Sequence, residues 1–235
     1  VCSIATGESI VSIPAFPECS HPLVKSLIHY SDQELLTLFQ RHPDSGQYFA
    51  AIFCRYSPMV YTLIRHSARS PVQADYLFAT TWRHIFYELG GLDLRRTTAD
   101  GELAFTLQSW LINVTALCIN QAELPPVEAI HYNLQMTSPP LWCYVERALE
   151  QLPPVSRVMV LMAQTFNWSE TRISAYLQAE GEVMTPADVR TQLQDAYRLL
   201  EAALPEDVRG IYLSENTDSQ QVFGGKTASL ETTVE

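Results

Sequence analysis

Apolar positions recur at intervals of three and four along most of the chain, the spacing that lines one face of an α-helix. Ser31-Asp32-Gln33-Glu34 has the form of a helix-capping box, and Leu35, Leu36, Leu38 and Phe39 follow on one side of a short helix. His42-Pro43-Asp44-Ser45-Gly46 breaks it. From about 47 to 67, Phe49, Ile52, Phe53, Tyr56, Val60, Leu63 and Ile64 form the next stripe, with a kink or break predicted near Ser57 because Pro58 follows. Ser70-Pro71 reads as an N-cap with proline at the first helical position. That helix carries Ala74, Leu77, Phe78, Thr81, Trp82, Ile85 and Phe86 to Leu89, and Gly90-Gly91 stops it. A further helix is predicted over about 103–121, with Leu103, Leu107, Trp110, Leu111, Val114 and Leu117 inward.

Four short helical units close the pattern, at about 141–151, 153–166, 169–179 and 186–204. Ser169 reads as an N-cap, and Thr185-Pro186 repeats the cap-then-proline signal. Between the two helical groups, Pro125, Pro126, Pro139 and Pro140 mark a linker with weak periodicity and at most one short helix, expected to pack on something rather than swing freely. Pro14, Pro17 and Pro22 make residues 1–30 an irregular lead-in, expected to dock partly through Ile10, Val11, Ile13 and Phe16. The resulting division is a lead-in over 1–30, a helical domain over 31–122, a linker over 123–140, a second helical domain over 141–213, and a polar tail over 214–235 expected to be disordered.

Composition supports an all-α fold. Only 9 of 235 residues are glycine, too few for an all-β protein built on tight turns. A 47% hydrophobic and 17% charged chain can build a core. The net charge of −11 weighs against free DNA binding, since affinity for a duplex comes largely from Lys and Arg neutralising phosphates. It leaves room for a locally basic surface, or for a protein that meets DNA inside a larger assembly. Cys2, Cys19, Cys54, Cys118 and Cys143 are odd in number and widely spaced, so free thiols in a reducing compartment are expected. No apolar run approaches a membrane span and no signal peptide is visible, so a cytoplasmic location is expected. No catalytic constellation, Gly-rich phosphate loop or metal-ligand spacing appears, so neither enzyme nor cofactor is expected.

The pair 169–179 and 186–204 has the outline of a helix-turn-helix unit: two short helices, a brief turn, and polar positions on the second. Pattern alone is a weak signal and favours the plain reading, since many helical hairpins bind nothing.

The order of segments, however, resembles the sigma-70 family of bacterial RNA polymerase initiation factors in its short, two-domain extracytoplasmic-function form. Three stretches carry the likeness. The first is Ser31-Asp32-Gln33-Glu34-Leu35-Leu36 with the run from Phe49 through Tyr56, Pro58, Val60 and Tyr61. The second is Ala74-Asp75-Tyr76-Leu77 through Trp82 and Phe86, followed by Trp110-Leu111. The third is Ala148-Leu149-Glu150-Gln151-Leu152-Pro153, Arg157, Leu161, Ser169, Ile173, Leu177, Val189 and Leu193.

The resemblance implies a dissociable, non-catalytic polymerase subunit. Its first domain would dock on core RNA polymerase through Asp75, Thr80, Arg83 and His84 and help open the minus-ten element. Its second would read promoter DNA within the holoenzyme through Thr185, Arg190, Thr191, Gln194 and Arg198. An anti-sigma protein is a further partner the family implies. Arg can bond guanine and phosphate, and Gln can bond adenine. Trp82 and Trp110 are expected in the core, and Trp168 as a packing anchor.

The departures define an alternative. Tyr76 and Ala79 stand where the family typically has a carboxylate and a glutamine, Gln192 and Asp195 stand at usually basic positions, and no Lys or Arg occurs between Trp110 and Arg147. A sigma-like scaffold working through protein contacts, without direct DNA binding, is the second reading.

Overall fold

The structure, a computed structural model, describes residues 13–94, 106–134 and 137–213. Among them the protein is all-α, with ten α-helices and no strand. In chain order these are α1 (Pro22–Lys25), α2 (Asp32–Arg41), α3 (Gly46–Ser67), α4 (Pro71–Leu89), α5 (Leu107–Gln121), α6 (Pro139–Gln151), α7 (Pro154–Thr165), α8 (Glu170–Ala179), α9 (Pro186–Ala203) and α10 (Glu206–Tyr212). Two compact units result, Val1–Pro43 with Tyr48–Pro140 and Asp44–Gln47 with Leu141–Glu235.

In the first unit, the predicted capping box forms. Ser31 N donates to Glu34 Oε2 at 2.7 Å and Glu34 N to Ser31 Oγ at 3.3 Å. Glu34 Oε2 also accepts from Ser31 Oγ at 2.7 Å, and the two bonds it receives, the backbone one first, hold the Glu34 carboxyl below its ordinary range. α3 runs through Pro58 rather than breaking at Ser57. The core is aromatic: Trp82 is fully buried and meets Phe53 edge-on at 4.9 Å and Phe49 at 6.0 Å, and Phe49 meets Phe86 at 4.9 Å. Such rings gain from tilted contacts beyond the area they bury.

Three expectations change here. The lead-in is more ordered than its prolines suggest: a 3-10 turn covers Pro17–Ser20, α1 follows, and Phe16, Val24 and Leu27 are buried. Ile13 is exposed, while Ile10 and Val11 lie outside the described residues. Cys19 and Cys54 form a disulfide, so the free-thiol expectation holds among the described cysteines only for Cys118 and Cys143. Spacing alone does not reveal a pair brought together by packing. In α5 the inward set is narrower than its periodicity suggests. Leu107 and Leu111 are buried, Trp110 and Val114 are half-buried, and Leu117 is 46% exposed. A helix apolar on most faces has no dominant stripe to fix its rotation. Leu103 lies outside the described residues, as does the polar tail.

The linker contains one 3-10 turn at Val127–Ala129, and it does pack: Gln73 Nε2 donates to Pro125 O at 3.1 Å and Leu134 is buried.

In the second unit, α9 packs on α7 and α8 through Val189, Leu193, Ala196 and Leu200. α10 was not foreseen, although Pro205 followed by Glu206 and Asp207 is a helix-start signal. Within this unit Asp207 Oδ2 accepts from Ser45 Oγ at 2.8 Å and Gln47 N at 2.9 Å. No helix among the described residues is long and apolar enough to cross a membrane.

Candidate functional site

Local chemistry shapes the α8–α9 hairpin. Ser169 Oγ caps α8 by accepting from Arg172 N at 3.3 Å. The far end closes as a Schellman motif: Glu182 N donates to Leu177 O at 2.9 Å and Gly181 N to Gln178 O at 3.2 Å. Gly181 adopts φ +91°, a conformation that side-chain-bearing residues rarely take. The turn then crosses back under a buried brace. Met184 O accepts from Ser174 Oγ at 2.6 Å and from Gln178 Nε2 at 3.1 Å. Ser174 is buried, so this hydroxyl fixes where α9 begins relative to α8.

α9 opens with its own capping box. Thr185 N and Oγ1 donate to Asp188 Oδ2 at 2.9 and 2.7 Å, and Asp188 N donates to Thr185 Oγ1 at 3.2 Å. The two bonds that Asp188 Oδ2 accepts, the hydroxyl's first, pull its carboxyl below the ordinary range. The Thr185 hydroxyl is thus engaged in the cap rather than presented outward.

Arg190, Thr191, Gln194 and Arg198 are all exposed. At about 100° per residue they span an arc of about 100°, one face of the helix. This face is the side opposite Val189, Leu193, Ala196 and Leu200, which anchor α9 in the unit. Neither arginine is free: Arg190 Nε and Nη2 donate to Glu170 at 3.2 and 3.4 Å, and Arg198 Nη1 donates to Asp195 at 3.1 Å. Thr191 Oγ1 donates back to Ala187 O at 3.1 Å.

Beside the turn between α7 and α8, Trp168 is half-buried between Phe166, at 5.9 Å, and Tyr176, at 5.8 Å. Arg172 lies 4.3 Å above its ring, a cation–π contact. Trp168 therefore anchors surface rings rather than the central core.

The α4 set is less coherent. Arg83 and His84 are exposed, Arg83 5.9 Å over the Tyr87 ring. Thr80 is half-buried, its hydroxyl bonding Tyr76 O at 3.1 Å and Leu77 O at 3.0 Å of its own helix. Asp75 turns elsewhere, accepting from Tyr61 Oη at 2.9 Å. Burial, more than this bond, sets Asp75: it raises the carboxyl, and it pushes the Tyr61 hydroxyl up to about 12. Thr80, Arg83 and His84 can share a surface, and Asp75 stands apart from it.

Sequence reasoning missed Glu170, because twenty residues separate it from Arg190 and no periodicity links them. It missed the Ser174–Met184 brace for the same reason. The Asp195–Arg198 pair, three residues apart on one helix, was readable in principle. Among the described residues no group of three or more His, Cys, Asp or Glu side chains is placed to hold a metal. No family model, curated protein or solved structure matches the chain.

Proposed function

We propose that the chain is a sigma-type transcription initiation factor that acts with core RNA polymerase and presents α9 to promoter DNA. One observation carries this reading: the exposed α9 face of Arg190, Thr191, Gln194 and Arg198, held outward by a braced turn. Arginine and glutamine are the side chains suited to base edges and phosphates in the major groove. An α-helix is the element that groove admits. The polymerase would supply much of the nonspecific grip, which reconciles the reading with a net charge of −11.

A second reading has its own observation. Glu170 and Asp195 each hold one of the two arginines, and α5 carries no charged residue over its whole length. An uncharged outer α5 with Ile112 and Leu117 exposed suits a protein partner better than a phosphate backbone. On this reading the chain is a sigma-like scaffold without direct DNA contact.

In vitro transcription from a genomic promoter pool, with core polymerase and with or without this protein, separates the two. New protein-dependent transcripts are expected. No new transcripts, with a core that responds to another sigma factor, would reject the first reading and leave the second.

A further inference from the structure

The lead-in is fastened to the first unit by three kinds of contact that converge on one short stretch of α3. Phe16 inserts its ring against Phe53, edge-on at 4.8 Å, and stacks on Phe78 at 5.8 Å. Cys19 is joined covalently to Cys54, the residue after Phe53. Arg55, the next residue, donates to Ile28 O at 3.2 Å and Tyr30 O at 2.7 Å, and pairs with Asp32 at 2.6 Å. Three consecutive residues of α3 thus hold the two ends of 16–32, Phe16 and Cys19 at one and Ile28, Tyr30 and Asp32 at the other.

Beyond these contacts the stretch is held by local bonding and a small buried set. Its helices are single short turns, Pro17–Ser20 and Pro22–Lys25, and its backbone hydrogen bonds, from Cys19 N to Phe16 O through Tyr30 N to Leu27 O, are local ones over three or four residues that do not tie it to the rest of the unit. Its buried apolar side chains are Phe16, Val24 and Leu27, whereas Leu23, Ile28 and Tyr30 are exposed. Both half-cystines are only partly buried, so a reductant can approach the bond. Accessible disulfides are the exchangeable ones.

We propose that residues 16–30 form a latch over Phe53 and Phe78 that the Cys19–Cys54 disulfide keeps shut and that a dithiol reductant opens. The chemistry is thiol–disulfide exchange. One thiolate of the dithiol attacks a cystine sulfur, giving a mixed disulfide and releasing the other cysteine as a thiolate. The dithiol's second thiolate then displaces the first cysteine. The reductant leaves as a disulfide, its two electrons and two protons now on the Cys19 and Cys54 thiols. With the bond cut, the stretch between Cys19 and the α2 cap at Ser31 is no longer a closed loop, and its opening regains chain entropy. For a loop of about a dozen residues that entropy corresponds to a roughly hundredfold more populated open state. The remainder of the first unit, centred on Trp82, does not depend on the bond. This inference stands independently of the sigma reading.

The test is hydrogen exchange and thiol alkylation on the full chain, before and after excess dithiothreitol. Cys19 and Cys54 should take up N-ethylmaleimide only after reduction. The amides of Leu27, Ile28 and Tyr30 should then exchange up to about a hundredfold faster, while those of Phe78 to Phe86 in α4 stay as they were. Cys19→Ser should show the same fast exchange without reductant. Alkylation of both cysteines before reduction would overturn the proposal. So would unchanged exchange of the lead-in after reduction, or an equal rise in α4, which would make the bond a staple of the whole unit.

Discussion

If α9 meets DNA, Glu170 restrains it. Its carboxylate holds Arg190 at 3.2 and 3.4 Å, with side-chain exposures of 65% for Arg190 and 33% for Glu170. A pair this open contributes little, because water screens it and two side chains lose freedom. Arg190 must surrender that interaction before it can bond a phosphate or base. Glu170→Gln removes the charge and keeps the shape, so holoenzyme affinity for its promoter should rise, by at most about fivefold. Arg190→Ala should lower affinity and reduce the slope of log affinity against log salt by about 1, the release of one phosphate counterion. Fluorescence anisotropy of labelled promoter with holoenzyme, across a salt series, reads both. Unchanged affinity in Glu170→Gln together with an unchanged slope in Arg190→Ala would refute α9 as the contacting helix, even if transcription still depended on the protein.

Three further outcomes follow from the packing. Ser174→Ala should destabilise the second unit by about 1–2 kcal/mol, since Gln178 keeps only part of the Met184 carbonyl satisfied, and a chemical-denaturation midpoint unchanged from wild type would remove the brace from the account. Asp32→Ala strips both the Arg55 guanidinium, at 2.6 Å, and the Tyr56 hydroxyl, at 2.5 Å, of their shared acceptor; with Asp32 and Arg55 only 29% and 25% exposed, a loss of about 2–3 kcal/mol in the urea transition of the first unit is expected, and a loss below about 0.5 kcal/mol would contradict it. Asp75 has a carboxyl raised by burial, so the folded state holds its proton to higher pH than the unfolded state does, and its contribution to stability falls as pH rises from the ordinary 3.8 through the raised value. Asp75→Asn should therefore gain in thermal midpoint relative to wild type as pH climbs through that window, and a difference that does not change with pH would show that the Asp75 charge is not penalised.

Much of the architecture was legible because it depends on neighbours in sequence. The Ser31–Glu34 capping box, the Ser70-Pro71 start, the Ser169 cap and the Thr185-Pro186 start are contacts over two or three residues, and all four form. The stripe Val189, Leu193, Ala196 and Leu200 is a helical period, and it is the face that α9 buries. Exposure of Arg190, Thr191, Gln194 and Arg198 follows from that stripe, being the remaining face of the same helix. Pro58 misled because proline penalises a helix interior by about 3 kcal/mol, yet α3 buries Phe49, Ile52, Phe53, Val60 and Ile64 on both sides of it. That burial exceeds the penalty.

The sequence by itself therefore determined the longer helices, α2 through α9, most of their caps and the inward face of each strongly amphipathic one, since those depend on periods of three and four residues and on local hydrogen bonding. Only the tertiary structure decided who meets whom across long separations. It joined Cys19 to Cys54, gave Asp32 to Arg55 and Tyr56, turned Asp75 to Tyr61, set Ser174 under Met184, and placed Glu170 against Arg190. It also settled the rotation of α5, where apolar residues on most faces leave no stripe for the pattern to reveal. These contacts arise from the packing of whole helices, and neither a local period nor a residue's own chemistry specifies which distant partner that packing brings.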